Sequence, residues 1–407
     1  MTNLAVLDIF LHNEQIGTLT QLPGDKNLLT FSHEYIDNSE RATLSLSFED
    51  TLGGLITDQE PTRTRLPPFF ANLLPEGPMR EYLAKQAKVS PEREFFLLAA
   101  LGIDLPGALK VNPTNFSHPN PIKDDNLDGV ISFKREGAIL RFSLAGVQPK
   151  FSAVWDDEKG LTIPIDGVGG SWIVKLPSPI YDGVPENEYV MMELARRLGI
   201  DVPETALIPI DQIQGLPKGI ARNASHAFII KRFDRDQRGA GIHIEDFAQV
   251  FGVYPEKKYA SANYRNIARV IWSTVGEKGI GEFIRRFVFN ALIGNGDMHL
   301  KNWSLIYPNK RDAALAPAYD FVSTIPYLPE DGLALTFVDS KKFNSLTYEQ
   351  FKRFATKAEL PEALILDITW ETVHAFKNLW KSIHDFHLDE PIINVINNHL
   401  KTIPLFK

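Results

Sequence analysis

The chain has no cysteine among its 407 residues. This absence excludes disulfide bonds, thiolate nucleophiles and cysteine-ligated zinc, and it suits a reducing cytoplasm. The sequence has no run of about 18 apolar residues, so no membrane-spanning helix and no membrane partner are expected. The first fifteen residues, MTNLAVLDIFLHNEQ, lack a positively charged stretch and alternate apolar with polar residues, which predicts a strand and not a signal peptide. We therefore expect a cytoplasmic protein.

The charge balance is acidic, with a formal net charge of −8. The chain as a whole is thus not of the nucleic-acid-binding type. The hydrophobic fraction of 44% and the charged fraction of 23% are ordinary for a soluble globular protein. At roughly 100 to 200 residues per domain, the length predicts two or three domains or lobes.

The first 112 residues predict a small β-rich domain. Two strand-like runs, AVLDIFL and QIGTLTQL, flank the polar HNEQ and predict a hairpin. Residues 41–48 alternate apolar with polar residues, which favours another strand. Helices are expected to begin near Pro78 and Pro91, since proline is favoured in a first helical turn.

Residues 112–127 separate this domain from the rest of the chain. They are rich in proline, asparagine and aspartate and show no periodicity, so they predict a domain boundary. The alternative is a long surface loop within one domain. Four strands follow, GAILRFSL, FSAVWDD, LTIPI and GSWIVKLPS, then a helix ending at Gly199 and the strand HAFIIKRFDR. From residue 243 onward, beginning with HIEDFAQVFG, helical patterns dominate. A β-rich lobe that leads into an α-rich lobe is the layout of a bilobal phosphotransferase, although fold alone does not establish function.

The stretch GNGDMHLKNWSL holds the first candidate for chemistry. Asp297 and Asn302 are five residues apart, and Asp320 follows in APAYDFVS. In kinases an Asp with this spacing orients the attacking hydroxyl, while the Asn and a later Asp hold Mg²⁺. Lys301, between them, could neutralise charge on the transferred phosphoryl group. Alternatively, Asp297 is only a turn or capping residue after a helix, where Asn and Gly are expected anyway.

A lysine within an apolar strand supports the first interpretation. Lys175 lies in WIVKLP, and a buried lysine is rare unless it is paired. On the following helix, Glu188 falls at the edge of the apolar face while Glu193 points nearly opposite. We therefore expect a Lys175–Glu188 pair. The alternative is a strand-end lysine that reaches water.

Two further segments complete a candidate nucleotide site. RFSLAGVQPKFS has one glycine, Gly146, between strand-like flanks, and it is a candidate cover for phosphates; an ordinary strand turn is the alternative. The crossing segment between the lobes, Lys231 to Phe233 in FIIKRFDR, could place backbone groups at the adenine edge.

Taken together, these motifs resemble the HipA family of serine/threonine kinase toxins. SLAGVQPK, WIVKLP, NEYVMMELARRLGI, IKRFDR, HIEDFAQ, GNGDMHLKN and APAYDF occur in that order, after LPPFFANLLPEG. The resemblance implies an α+β, bilobal protein-kinase-like fold with a β-rich N-lobe (128–230) and an α-rich C-lobe (231–407), preceded by a small N-terminal β-rich domain (1–112). It also implies ATP and Mg²⁺ as cofactors.

The resemblance assigns roles to individual residues. Asp297 becomes the catalytic residue that accepts the hydroxyl proton, and Lys175 becomes the lysine that binds the ATP phosphates. Ser143 becomes an autophosphorylation site, and its phosphorylation inactivates the enzyme. Asn302 and Asp320 become the metal ligands. Pro149 is a departure, since proline has no N–H to donate to a phosphate. The complete set implied to bind the cofactor is Ala145, Gly146, Val147, Gln148, Pro149, Lys150, Lys175, Lys231, Arg232, Phe233, Lys301, Tyr319, Asp320, Phe321 and Val322.

The resemblance also implies partners. Family members bind HipB, a small helix-turn-helix antitoxin that contacts operator DNA, and the acidic charge of this chain fits such an arrangement. The implied protein substrate is a translation component such as glutamyl-tRNA synthetase. Two alternatives remain at this stage: a small-molecule kinase of the aminoglycoside-phosphotransferase type, and a catalytically inactive co-repressor.

Overall fold

A computed structural model describes residues 4–114, 150–156, 160–163, 170–178, 180–216 and 226–407. Its first part is a five-stranded antiparallel sheet with short helices. The strands are β1 (Ala5–Leu11), β2 (Glu14–Leu22), β3 (Lys26–Phe31), β4 (Thr62–Arg63) and β5 (Leu109–Pro113), in the order β4-β3-β2-β1-β5. The helices are α1 (His33–Asp37), α2 (Pro68–Ala71), α3 (Gly77–Ala87) and α4 (Glu94–Leu101).

The predicted N-terminal hairpin is confirmed. β1 and β2 pair antiparallel, and the two residues between them, His12 and Asn13, have φ angles of 50° and 68°. Two consecutive positive φ values define the turn whose twist matches that of the flanking strands. The helices expected near Pro78 and Pro91 also form, as α3 and α4.

The strand expected over residues 41–48 is wrong. Residues 46–48 form a single 3₁₀ turn, and residues 41–45 belong to no strand. The reason is a long-range contact: Glu245 accepts hydrogen bonds from the Ser45 hydroxyl and from the Leu46 N–H. This docking to the C-terminal part of the chain replaces pairing with the sheet.

The second part is the N-lobe. It contains β6 (Lys150–Asp156), β7 (Gly160–Thr162), β8 (Trp172–Lys175), helix α5 (Val184–Arg197), β9 (Thr205–Pro209) and β10 (His226–Lys231). The strands form an antiparallel sheet in the order β7-β6-β8-β10-β9. The strand predicted for GAILRFSL, residues 137–144, lies outside the described residues.

Strand β10 shows how this sheet is held on both faces. Successive side chains of a strand point to opposite faces. Ala227 and Ile229 pack into the core shared with the N-terminal domain, whereas Phe228 and Ile230 pack into the core shared with α5 and the C-lobe. All four are buried, so the sheet lies between two hydrophobic cores and the N-terminal domain is joined to the N-lobe.

The third part is mainly helical. Strand β11 (His243–Asp246) leads into α6 (Phe247–Val250), followed by α7 (Tyr264–Thr274), α8 (Glu277–Ile293), β12 (Ser304–Tyr307), β13 (Ala314–Leu315), α9 (Tyr348–Ala358), α10 (Glu362–Trp380) and α11 (Glu390–Thr402). Most of α8 is buried, and it packs closely against α10, α7 and α11. Among the described residues, no helix is long and apolar enough to cross a bilayer.

One predicted helix is corrected here. HIEDFAQVFG is helical only from Phe247; its first four residues pair with β12 instead. Asp246 marks the change, because its carboxylate accepts a hydrogen bond from the Gln249 N–H and the Gln249 side-chain oxygen accepts one from the Asp246 N–H. This reciprocal cap is a strong signal for a helix start. The α+β class and the bilobal, kinase-like arrangement with a preceding β-rich domain are confirmed.

Candidate active site

A buried lysine joins the N-lobe to the C-lobe. Lys175, at the end of β8, is 4% exposed, and its Nζ donates hydrogen bonds to Glu188 of α5 and to Asp320 of the C-lobe. Glu193 points elsewhere and pairs with Arg196. The structure thus brings together Lys175 and Glu188, the pair expected from the helix periodicity, and adds Asp320 to them.

A second lysine approaches the same carboxylate. Lys150 of β6 is the register partner of Lys175 on β8, and its Nζ lies 3.8 Å from Asp320 Oδ2. Burial alone would raise the pKa of Asp320, but the positive charges of Lys150 and Lys175 outweigh it and lower that pKa well below its usual range. Burial likewise acts to lower the pKa of Lys175, yet Asp320 and Glu188 raise it. Asp320 is therefore ionised and Lys175 is charged.

The backbone at Asp320 is unusual. Its φ angle is +56°, a left-handed conformation that is uncommon for non-glycine residues and that occurs in turns, at helix ends and at functional sites. The neighbouring Phe321 is buried against Phe289, with ring centroids 5.5 Å apart, while Val322 is half-buried. The Tyr319 hydroxyl donates a hydrogen bond to the Lys301 carbonyl, 3.0 Å away. These contacts anchor Asp320 from both sides.

The loop that carries Asp297 begins where α8 ends. Gly294 caps the helix with a φ angle of +70°, and a Cβ there would lie 2.4 Å from Ile325 Cδ1, so only glycine fits. The buried Asn295 side chain accepts a hydrogen bond from the Asp297 N–H at 3.0 Å and donates to the Asp320 carbonyl at 3.3 Å. Asn302 closes the loop by donating from Nδ2 to the Asp297 carbonyl at 2.7 Å. This turn fixes the position of Asp297, and a chemical role for its carboxylate stays a prediction.

The Asp297 carboxylate itself is half-exposed and contacts two side chains. It accepts a hydrogen bond from the Tyr259 hydroxyl, and His299 Nε2 lies 3.9 Å from its Oδ1. Desolvation raises the pKa of Asp297, whereas the Tyr259 hydrogen bond and the charge of Lys258 oppose that rise. Burial, together with Lys258 and Lys301, lowers the pKa of His299 to about 3. The imidazole is therefore neutral beside the carboxylate.

Lys301 has partners that the sequence did not predict. Its Nζ lies 2.7 Å from Glu76 Oε1 and 3.1 Å from the Asn72 carbonyl, both in the N-terminal domain. Glu76 also binds Lys258, with 2.8 Å between Oε2 and Nζ. A contact between Lys301 and a transferred phosphoryl group stays a prediction, because here the ammonium is engaged by the N-terminal domain.

The segment expected at the adenine edge, residues 231–233, already uses two of its backbone N–H groups in hydrogen bonds within the protein. The N–H groups of Lys231 and Arg232 donate to the carbonyls of Glu204 and Ser171, both at 2.8 Å. The Lys231 side chain is exposed. Phe233 stacks on Tyr319, with ring centroids 5.7 Å apart. The crossing segment therefore contacts the loop of Asp320.

Arg232 belongs to a buried ion network. Its guanidinium binds Asp234 and also Asp104 of the N-terminal domain, and Arg235 binds the same two carboxylates. Burial opposes charge on Arg232, but both carboxylates outweigh it and raise its pKa. The Arg232 side chain thus ties the N-terminal domain to the segment between the lobes.

Some predicted residues cannot be placed. Ser143, Ala145, Gly146, Val147, Gln148 and Pro149 lie outside the described residues, and of the predicted phosphate cover only Lys150 lies within them. Within the described ranges, no group of three or more His, Asp or Glu residues could hold a metal ion. The ionised Asp320, 22% exposed, and the Asn302 Oδ1 are nevertheless the hard oxygen donors that suit a Mg²⁺ completed by phosphate and water oxygens.

Sequence reasoning missed four residues of this site: Glu76, Lys258, Tyr259 and Asn295. The strings LPPFFANLLPEG and GNGDMHLKN include Glu76 and Asn295, but neither suggests their contacts. Lys258 and Tyr259 lie in a short irregular segment with no periodic pattern. Only the long-range contacts of the folded chain identify them.

Two family models match this chain. The HipA N-terminal domain matches residues 7–112, and the HipA-like C-terminal domain matches residues 142–380. A protein of Sinorhizobium fredii named as a candidate kinase, Y4dM, is 49% identical over 100% of this chain and 99% of its own length. The serine/threonine-protein kinase toxin HipA of Shewanella oneidensis is 27% identical over 88% of this chain and 85% of its own length.

One solved structure shows the same fold. It is a chain in the complex of the Shewanella oneidensis MR-1 toxin–antitoxin system, HipA, HipB and its operator DNA. The TM-score is 0.70 at 22% sequence identity, covering 98% of this chain and 96% of the other. At this identity the likeness supports the fold.

Proposed function

Because the chain belongs to the HipA family, we propose that it is a serine/threonine-protein kinase that uses ATP and Mg²⁺ in the cytoplasm. The observation that carries the proposal is the convergence of Lys175, Glu188 and Asp320 between the lobes, together with Asp297 on an ordered loop that Asn295 links to Asp320. A strand lysine paired with a helix glutamate, and a later metal-binding Asp, are the parts that kinases use.

In the proposed reaction, the hydroxyl oxygen of a serine or threonine attacks the γ-phosphorus of ATP. The bond from that phosphorus to the β–γ bridging oxygen breaks, ADP leaves, and the hydroxyl proton passes to Asp297. The half-exposed Asp297 carboxylate is accessible for this role, and its partial desolvation makes it a better proton acceptor than a fully hydrated carboxylate.

Lys175 would bind the ATP phosphates with its ammonium held in place by Glu188. Asp320 and Asn302 would hold Mg²⁺, which neutralises phosphate charge when bound. Lys150, 3.8 Å from Asp320, would supply a second cation at the same place. Phe233 and the neighbouring backbone of Lys231 and Arg232 would border the adenine, and Tyr319, Phe321 and Val322 would shape the floor beneath it.

Regulation and partners follow from family membership as further parts of the proposal. Phosphorylation of Ser143 would add about two negative charges next to Ala145–Lys150, the proposed phosphate cover, and would inactivate the enzyme by repelling ATP. A HipB-like antitoxin would bind the chain and connect it to operator DNA as a co-repressor. A translation component such as glutamyl-tRNA synthetase is the proposed protein substrate.

The test is incubation of the purified chain with γ-labelled ATP, Mg²⁺ and a bacterial lysate, with Asp297→Asn as the matched control. We expect label in one or a few proteins on serine or threonine, and on Ser143 of the chain itself, that is lost or at least about 10²-fold weaker in the control reaction. Label confined to small molecules would instead support an aminoglycoside-type kinase. An absence of both ATP binding and transfer would support a catalytically inactive co-repressor.

A further inference from the structure

The N-terminal domain contacts the Asp297 loop through Glu76, a residue that takes no part in the phosphoryl transfer proposed above. Glu76 lies at the start of α3 but makes no capping hydrogen bond to that helix. Its two carboxylate oxygens instead bind Lys301 and Lys258, at 2.7 Å and 2.8 Å. The three side chains are 15%, 5% and 10% exposed, respectively. One carboxylate from the N-terminal domain therefore joins two largely buried ammonium groups of the C-lobe.

Each of those lysines adjoins a residue that defines the position of Asp297. Lys301 precedes Asn302, whose side chain closes the loop on the Asp297 carbonyl. Lys258 precedes Tyr259, whose hydroxyl binds the Asp297 carboxylate. The Leu300 N–H also donates to the Lys258 carbonyl at 3.3 Å, so the two lysine segments are joined to each other. Glu76 therefore connects the segment that carries Asn302 to the segment that carries Tyr259, and both of these residues contact Asp297.

The electrostatics of the cluster support a constructive role. Burial would raise the pKa of Glu76, but Lys301 and Lys258 outweigh it and lower the pKa to about 2. The carboxylate is therefore ionised at neutral pH. Without that charge, two nearly buried ammonium groups would face each other unneutralised, and charges in such places are costly unless paired. At least one lysine segment would then move and carry Tyr259 or Asn302 with it.

The surrounding contacts make this position rigid. The Asn72 carbonyl accepts a hydrogen bond from the Lys301 ammonium, and Asn72 Nδ2 donates one to the Val253 carbonyl at 2.7 Å. Gln249 donates to the Phe69 carbonyl at 3.1 Å. Residues 69–76 are therefore bound along the C-lobe by several hydrogen bonds, and Glu76 is the charged end of that contact.

We propose that Glu76 is a positioning residue for phosphoryl transfer, through which the N-terminal domain fixes the geometry of the Asp297 loop. This inference rests on the proposed kinase function. It gives the N-terminal domain a direct part in catalysis, and it predicts an effect on the rate of transfer and not on the binding of ATP, because Lys175 and Asp320 lie in a separate cluster.

The test compares Glu76→Gln with Glu81→Gln, a substitution of an exposed glutamate on the same helix. For Glu76→Gln we expect the rate of phosphoryl transfer at saturating ATP to fall about tenfold or more, since small misplacements of reacting groups cost rate steeply. The ATP dissociation constant, measured by calorimetry, should change by less than about threefold. A group that acts only in the transition state affects the rate of transfer and not the binding of ATP. Glu81→Gln should match the wild type in both.

A second variant guards against misfolding. Lys258→Gln keeps the Glu76–Lys301 ion pair but releases the Tyr259 segment, and we expect the same fall in rate with ATP affinity retained. An unchanged or faster rate of transfer in either folded variant would overturn the role of Glu76. A faster rate would show instead that the contact with Glu76 restrains Lys301. An inactive wild type would overturn the proposed function and this role together, whereas an active wild type with an unaffected Glu76→Gln would overturn this role alone.

Discussion

Two clusters of lysines and carboxylates flank the loop that carries Asp297, and they are built differently. In the first, Lys150 and Lys175 meet Glu188 and Asp320. In the second, Lys258 and Lys301 share the single carboxylate of Glu76. The first cluster has two lysines and two carboxylates, and it joins the N-lobe to the C-lobe. The second has two lysines and one carboxylate, and it joins the N-terminal domain to the C-lobe.

The difference separates two tasks. Asp320, at 22% exposure, leaves the first cluster open on one side, as a nucleotide and a cation require. The second cluster is mostly enclosed, and its lysines already have protein partners. We infer that the first cluster binds the cofactor and that the second orients the loop, and the following predictions test this division.

Lys175→Met is expected to have the largest effect on activity. It removes the cation that both Glu188 and Asp320 contact and leaves only Lys150 near Asp320, so kcat/KM should fall by about 10²- to 10³-fold. ATP affinity, measured by calorimetry, should weaken as well, which contrasts with Glu76→Gln. Lys352→Met, at an exposed position on α9, is the control. Retained ATP affinity in Lys175→Met would contradict the division of tasks.

Asp104→Ala is expected to destabilise the protein, because the N-terminal domain would lose its buried tie to Arg232 and Arg235. Breaking a buried ion pair costs about 3–5 kcal/mol, with Asp234 still present to limit the loss. Urea unfolding measures the change, and Asp211→Ala, at an exposed site, is the control. Equal stability of the two variants would show that the network does not hold the domains together.

Glu245→Gln is expected to change how stability depends on pH. Burial raises the pKa of Glu245 to about 7, despite hydrogen bonds from Ser45 and Tyr307. Since the folded state binds this proton more tightly than the unfolded state, the contribution of Glu245 to stability is present below its ordinary pKa and is lost as the pH rises towards 7.

The substitution should therefore stabilise the protein at pH 8 by on the order of 2 kcal/mol and make the stability less dependent on pH between about 5 and 7. Thermal unfolding of both proteins across this range provides the measurement. Parallel pH profiles for wild type and variant would show that Glu245 does not titrate in this window.

Tyr259→Phe is expected to have the smallest effect on stability, because it removes one hydrogen bond and keeps the ring that contacts His299. A net hydrogen bond to a charged group is worth about 1.5–3 kcal/mol, and the half-exposed carboxylate can replace part of it with water. The Tyr259 hydrogen bond lowers the pKa of Asp297, so its loss should move the acidic limb of the rate–pH profile to higher pH. A limb that does not move would separate Tyr259 from the ionisation of Asp297.

The sequence was most informative where a local pattern carried the information. Helix periodicity separated Glu188 from Glu193, and the polar residues between two alternating runs located the first hairpin. The Asp297–Asn302 spacing identified the loop in which the structure finds a carboxylate oriented by its neighbours. Each of these features lies within a few turns or one strand of the chain.

Long-range contacts were not predictable in the same way. The segment at 41–48 alternates like a strand, yet Glu245, some 200 positions away, binds Ser45 and prevents strand pairing. Glu76 and Lys301 are separated by 225 positions, and no periodicity relates them. Such pairs depend on how whole domains pack, which a single sequence read by pattern does not specify.

The most direct test of the account is the comparison of wild type with Asp297→Asn in both ATP binding and phosphoryl transfer. Asp297 lies outside the first cluster, so the variant should bind ATP with nearly the wild-type dissociation constant. Its rate of transfer to serine or threonine should fall by about 10²- to 10⁴-fold, the usual contribution of a positioned acid–base group. Transfer at the wild-type rate by the variant would contradict the account.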